Sequence, residues 1–189
     1  PLFPFANEEF LARMENWIDG YRAQMQEVMT ENSASLEAFY FGSMPESLAG
    51  TADVVFFPRV LHNLANFQNN GKGDFLDIAL ADAYAILKPG GTFGVVQHEA
   101  REDKSDAFAD GTRGYLKKAW VIEQVEKAGF EFVAESGINE NPLDQPGDDE
   151  IVWRLPPNYN GTADDPELKA VVDAIGESNR MTLKFRKPE

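Results

Sequence analysis

The sequence predicts a layered α/β domain with a largely parallel sheet, on three observations. Short apolar runs rich in β-branched and aromatic residues alternate along the chain with amphipathic helical stretches. Turn residues bound each run. The length of 189 residues suits a single domain with its own core, and 43% hydrophobic and 12% aromatic residues is the composition of a folded chain.

The elements follow in order. Asn7, Glu8 and Glu9 place a capping side chain and acids where a helix dipole favours them. Phe10, Leu11, Met14, Trp17, Ile18, Tyr21, Met25, Val28 and Met29 then recur at helical spacing, predicting a helix to about residue 30 packed on a sheet. Its other face carries Glu and Gln as often as Arg, unlike a membrane-surface helix. Residues 36–41 and 52–57 read as strands, and residues 59–67 and 74–87 as helices. In the second helix Phe75, Leu76, Ala79, Leu80, Ala83 and Leu87 share one face. It stops at Lys88-Pro89-Gly90-Gly91, where Pro ends the helix and Gly permits a positive φ. Residues 92–98 form a buried-type strand, 115–128 a helix closed by Gly129, and 130–136 a strand. Met181, Leu183 and Phe185 alternate with polar neighbours in a final strand, 181–186, with one wetter face.

Residues 139–166 stand apart, with five of the 11 prolines and the acids Asp148, Asp149 and Glu150. They read as an insertion or lid. The run Ile151, Val152, Trp153, Arg154 and Leu155 argues that it packs against something. Asp164, Asp165 and Pro166 then open a short helix whose inner face is Leu168, Val171, Val172 and Ile175. The expected organisation is one domain: a helical region over 1–35, an α/β core over 36–138, the insertion, and a closing helix and strand over 167–189.

Lys and Arg total 17 against 32 Asp and Glu, a formal net charge of −15. Phosphate backbones and anionic membranes call for the opposite sign, so a small-molecule substrate is expected, with no nucleic-acid or membrane partner. No run of about 18 apolar residues occurs, and a cytoplasmic location is expected. The chain opens on Pro1 rather than Met, so a start inside a longer product is expected, and any upstream signal peptide would not be visible. The absence of Cys rules out disulfides and Cys-based zinc sites. His62 and His98 are the two histidines, and neither has a second ligand at metal spacing, so no metal is expected. Gly42-Ser43-Met44 is not a Gly-x-Ser-x-Gly elbow. Gly71-x-Gly73 follows no strand, as a phosphate cradle would require, and Asn160-Gly161-Thr162 is a weak glycosylation match.

A combination of features is more specific. A strand ending Asp53-Val54-Val55-Phe56-Phe57, a His-containing helix, a helix running into Leu87-Lys88-Pro89-Gly90-Gly91, and the strand 92–98 occur in that order. This resembles the C-terminal half of class I S-adenosylmethionine-dependent methyltransferases. Ala128-Gly129-Phe130 and the strands 130–136 and 181–186 resemble the family's last helix and closing antiparallel pair. Val60-Leu61-His62-Asn63-Leu64, Gly94-Val95-Val96-Gln97-His98-Glu99, Asn141-Pro142 and Val152-Trp153-Arg154-Leu155-Pro156-Pro157 resemble a group of predicted bacterial methyltransferases over residues 50–188.

The resemblance implies a Rossmann-like sheet of order 3-2-1-4-5-7-6, S-adenosylmethionine as cofactor, and methyl transfer to a small molecule. The family's acidic-Gly-x-Gly-x-Gly cofactor loop and its ribose-binding acid are not found. On the resemblance residues 1–5 would lie at the end of the second strand, leaving the sheet incomplete at its N-terminal side. Residues 52–57 would then be an apolar edge, which predicts a homodimer, strand exchange or a rearranged N-terminal region to cover it. The alternative function is a non-catalytic methyltransferase-fold domain serving as an interaction or assembly module.

Ligands of open α/β sheets bind beyond the carboxyl ends of the strands. By resemblance Gly42, Ser43 and Met44 would approach the adenine, and Pro58 and Arg59 would also bind the cofactor. His98, Glu99 and His62 are the candidate catalytic residues, with His98 a base near its ordinary pKa of roughly 6.5 and Glu99 orienting it or binding a cationic acceptor. Asn63 and Trp153 are assigned to the substrate. The plainer readings are an ion pair for Arg59 and a satisfied, half-buried imidazole for His62.

Overall fold

A computed structural model describes residues 8–29 and 36–189. The expected cap at Asn7 and strand end at residues 1–5 lie outside the described residues. The elements are α1 (Glu8–Val28), β1 (Ala52–Pro58), α2 (Leu61–Asn69), α3 (Phe75–Ile86), β2 (Leu87–Ala100), β3 (Leu116–Lys117), α4 (Lys118–Lys127), β4 (Glu131–Ser136), α5 (Pro166–Ile175) and β5 (Arg180–Arg186).

The main sheet has the order β1-β2-β5-β4, with β3 paired to β2 off this path. β1 and β3 run parallel to β2, whereas β5 is antiparallel to both β2 and β4. All strands but β5 therefore point one way, giving a mostly parallel Rossmann-like sheet with an antiparallel closing strand. Against the implied 3-2-1-4-5-7-6, the strands β1, β2, β5 and β4 stand as 4-5-7-6.

Side-chain alternation sorts β2 into two faces. Phe93 and Val95 join Phe57 of β1 and Met181, Leu183 and Phe185 of β5 on the buried face. Leu61, Leu64 and Ala65 of α2, Leu76, Leu80 and Ala83 of α3, and Val121 and Val125 of α4 cover it. Phe57 and Phe93 meet edge to face at 5.0 Å, the geometry that aromatic quadrupoles favour. The expected turn at Lys88-Pro89-Gly90-Gly91 is a bulge within continuous β2. Here β2 advances from Leu87 to Thr92 while β1 advances only from Ala52 to Val54. Gly90 has φ +75°, and a Cβ on Gly91 would sit 2.9 Å from the Lys88 carbonyl oxygen. Lys88 closes the bulge onto Asp53 at 2.6 Å.

Several expectations are corrected. Residues 36–41 form no strand. No neighbouring strand among the described residues is there to pair with them, and local bonds take over. The Ser43 N–H and hydroxyl both donate to the Tyr40 carbonyl, and the Gly42 N–H donates to Asp82 Oδ2 at 2.5 Å. Helix α1 forms, but of its expected apolar face the described Trp17 and Tyr21 are 71% and 47% exposed and do not pack on the sheet. Periodicity decides which side of a helix is apolar, not whether a layer is present to receive it. On α5 Val172 alone is buried, while Leu168 and Val171 are exposed. Helix α4 starts at Lys118, because Leu116 is taken into β3 opposite Glu99. Among the described residues β1 is an edge strand, with Val54 62% and Phe56 56% exposed on the face away from the helices. No helix among the described residues is long and apolar enough to cross a membrane.

Candidate active site

The carboxyl ends of β1 and β2 open into a cavity of about 320 Å³. It is lined by Pro58, Arg59, His62, Asn63, His98 and Trp153, all singled out from the sequence. Glu177, Ser178 and Arg180 also line it, with apolar wall from Val152, Leu155, Pro156 and Pro157.

Backbone geometry places these groups. The Arg59 N–H donates to the Val96 carbonyl at 2.6 Å, carrying the β1–β2 ladder one step past β1. Arg59 takes φ +55°, a left-handed conformation costly for a residue with a Cβ. Gln97, fully buried on β2, donates its Nε2 to the Gly114 and His98 carbonyls at 2.8 and 3.2 Å. Its Oε1 therefore faces His62, accepting from the backbone N–H at 3.3 Å and lying 3.2 Å from Nδ1. A carbonyl oxygen only accepts, so this contact puts the His62 proton on Nδ1 and leaves Nε2 as an acceptor. His98 Nδ1 lies 2.6 Å from the Ser178 hydroxyl. The two imidazoles stand 5.5 Å apart, and His62 meets the Trp153 ring at 5.6 Å.

Burial holds the His98 pKa down to about 3, helped by His62, Arg59 and Arg180. Burial also lowers His62, with Arg59 adding to the effect and the Gln97 hydrogen bond opposing it. Both rings are neutral at pH 7. The expected base near 6.5 is thus replaced by a far weaker one, because burial disfavours the charged ring and a second imidazole and two guanidinium groups add to that.

Glu99 does not join the cavity. Adjacent residues of a strand point to opposite faces, so β2 sends it away from His98. It meets Lys118 at 3.4 Å, which also meets Glu135 at 3.1 Å, and burial raises its pKa. Gly42, Ser43 and Met44 do not line the cavity either.

Sequence reasoning missed Glu177, Ser178 and Arg180. The strand-end rule was applied to residues that follow strands. Because β5 is antiparallel, the residues that precede it reach the same rim, and Arg180 pairs in register with His98. Arg180 forms an ion pair with Glu177, yet its Nε is buried with no hydrogen-bond partner, unique among the described side chains. An orphaned buried donor costs about 1–3 kcal/mol.

The wall carrying Trp153 is pinned by a second polar cluster. Arg154 donates to Asp144 Oδ1 and to the Tyr115 hydroxyl, each at 2.9 Å, and pairs with Glu150 at 3.2 Å. The Tyr115 hydroxyl is 3.0 Å from both Asp144 oxygens, and burial raises its pKa. The Asn179 N–H donates to Asp144 Oδ2 at 2.9 Å, tying residues 139–166 to the start of β5.

No family model matches the sequence, and no curated protein matches it. Solved structures do. The chain is similar to the [4+2]-cyclase SpnF at 17% identity, covering 90% of this chain and 62% of that one, with a TM-score of 0.53. A complex of the Haloferax volcanii methyltransferase activator Trm112 with a methyltransferase matches at 16% identity, covering 89% and 68%, also with a TM-score of 0.53. The S-adenosylmethionine-dependent methyltransferase SibL matches at 15% identity, covering 90% and 40%, with a TM-score of 0.50. The fold is that of the class I S-adenosylmethionine-dependent methyltransferases. This chain spans less than two thirds of the length of SpnF and of SibL.

Among the described residues the cavity meets no Gly-rich turn and no ribose-binding acid. Its polar groups include two guanidinium ions, two neutral imidazoles, Asn63, Asn158, Ser178 and Glu177.

Proposed function

We propose that this chain supplies the acceptor side of an S-adenosylmethionine-dependent methyltransferase acting on a small molecule. The observation that carries the reading is one cavity, at the carboxyl ends of neighbouring parallel strands, ringed by Pro58, Arg59, His62, Asn63, His98 and Trp153. SpnF shares the fold and is named a cyclase, so the reading is argued from the site as well as the fold. The cofactor, when bound, supplies an electrophilic methyl group. The chain's own residues position the acceptor and keep water from it, which accounts for much of the rate of an in-line transfer. Neutral His98 and His62 offer hydrogen-bonding nitrogens to the acceptor. A proton taken up by so weak a base passes on to solvent, so an acceptor that arrives deprotonated suits the site. Pro58 is assigned to the cofactor's reactive end, and residues 42–44 to its adenine, on the family resemblance; Arg59, expected beside the cofactor, is assigned instead to the acceptor cavity that it lines. Calorimetric titration with S-adenosylhomocysteine tests the reading: saturable binding supports it, and no heat of binding favours a non-catalytic module.

We further propose that β1 pairs with a second copy of the chain, on the exposure of Val54 and Phe56 at the edge. Sedimentation equilibrium returning only monomer would remove that proposal.

A further inference from the structure

The cavity reverses the electrostatic character of the chain. Against an overall charge of −15, its charged lining groups are Arg59, Arg180 and Glu177, two cations and one anion. The two arginines are not equally placed. Arg59 makes no side-chain hydrogen bond or ion pair with any described residue, although acids outnumber bases almost two to one in this chain. Among the described residues the ion-pair reading of Arg59 finds no partner. It is also held at φ +55°, where glycine would be at ease and a long side chain is strained. Arg180 is shielded to 18% exposure, is half neutralised by Glu177, and keeps one buried N–H without an acceptor. Strain at a residue whose charge has no partner among the described residues is what a binding site shows before its ligand arrives.

The remaining lining selects among anions. Glu177 leaves a surplus of one positive charge, which matches a monoanion better than a dianion. Guanidinium forks match the planar, two-oxygen geometry of a carboxylate. Trp153, Leu155, Pro156 and Pro157 offer a rigid apolar wall, and about 320 Å³ is at the small end of ligand sites. We infer that the acceptor is a small organic carboxylate, its oxygens held by Arg59 and Arg180 and its flat apolar body lying against Trp153 and the two prolines. This rests on the acceptor-site reading above. Burial is the main reason that His98 and His62 are neutral, and an anion would oppose only the added contribution of Arg59 and Arg180.

The chain provides its own reporters, since its two histidines both line this cavity. The test titrates the protein with benzoate and with its neutral isostere benzamide, following the two imidazole resonances by NMR. Benzoate is expected to shift both and to bind at least tenfold more tightly than benzamide. Arg59→Gln and Arg180→Gln should each weaken benzoate at least tenfold and leave benzamide unchanged. Equal binding of the two probes, no binding of benzoate, or wild-type affinity in Arg59→Gln would overturn the inference. The comparison of probes on the wild-type chain stands even if Arg180→Gln does not fold. S-adenosylhomocysteine, titrated separately, keeps the two proposals distinguishable. Benzoate binding without it retains the anion site and removes the methyltransferase reading. The reverse result does the opposite.

Discussion

Two arginine environments lie back to back, separated by residues 178 and 179 at the approach to β5. Arg154 is 7% exposed and all three of its guanidinium nitrogens are engaged, by Tyr115, Ile151, Asp144 and Glu150. Arg180 is nearly as enclosed, but its one ion-pair partner is Glu177 and its Nε has no partner. The difference is one of function. A guanidinium with every donor satisfied locks its surroundings, here fixing the wall that presents Trp153. One left incomplete beside a cavity keeps capacity for a ligand. Ser178 and Asn179 join the two regions, the first touching His98 and the second donating to Asp144.

The sharpest way to break this contrast is Asp144→Ala, which strands the Arg154 charge, the Tyr115 hydroxyl and the Asn179 N–H in the interior. Urea denaturation should show a loss of about 3–5 kcal/mol. A loss below about 1 kcal/mol would mean that the wall is not held by this cluster.

On the cavity side the largest effect is acid sensitivity. His98 titrates at about 3 when folded and near 6.5 when unfolded, so between those values the unfolded chain binds the extra proton. The contribution of His98 is therefore fully present above pH 6.5 and is lost as pH falls toward 3. At about 1.4 kcal/mol per unit the loss is of order 5 kcal/mol, and His98→Gln should flatten the stability profile over that range. An unchanged profile would place the acid sensitivity elsewhere.

Gly114→Ala probes the seam between the regions. The new Cβ would meet Val152 Cγ1 at 2.3 Å from a backbone at φ +87°. Thermal melts should report a loss of about 2 kcal/mol. The smallest effects belong to the unsatisfied groups themselves. Glu177→Gln removes a carboxylate whose side chain is largely exposed, and should alter stability by less than about 1 kcal/mol. Arg59→Gly relieves the left-handed strain at the cost of chain entropy, for a net gain of about 0.5 kcal/mol. A clear destabilisation by Arg59→Gly would show that Arg59 is a structural residue after all.

Much of the sheet was legible because its cues are local. The alternation around Phe93 and Val95, the helical face of Leu76, Leu80 and Ala83, and the two glycines after Pro89 each follow from a few neighbouring residues. Residues 36–41 misled because an apolar run looks like a strand whether or not a partner is at hand. Trp17, Leu168 and Val171 misled for the related reason that an apolar stripe does not name its neighbour. In the site, Arg59, His62 and His98 were found by the strand-end rule. Glu99 was added although period-two alternation already set it on the other face. Arg180 and Ser178 could be reached only by knowing that β5 inserts antiparallel between β2 and β4.

By itself, then, the amino-acid sequence determined the helix and strand periods, the glycine bulge, the acidic charge and the residues at two strand ends, all of which depend on short-range geometry or simple composition. Tertiary structure alone decided which arginine is paired and which is not, and why His98 remains neutral. Those properties arise where β2, β5 and residues 139–166 converge from distant parts of the chain, and burial and Coulomb fields depend on distance in space rather than along the sequence.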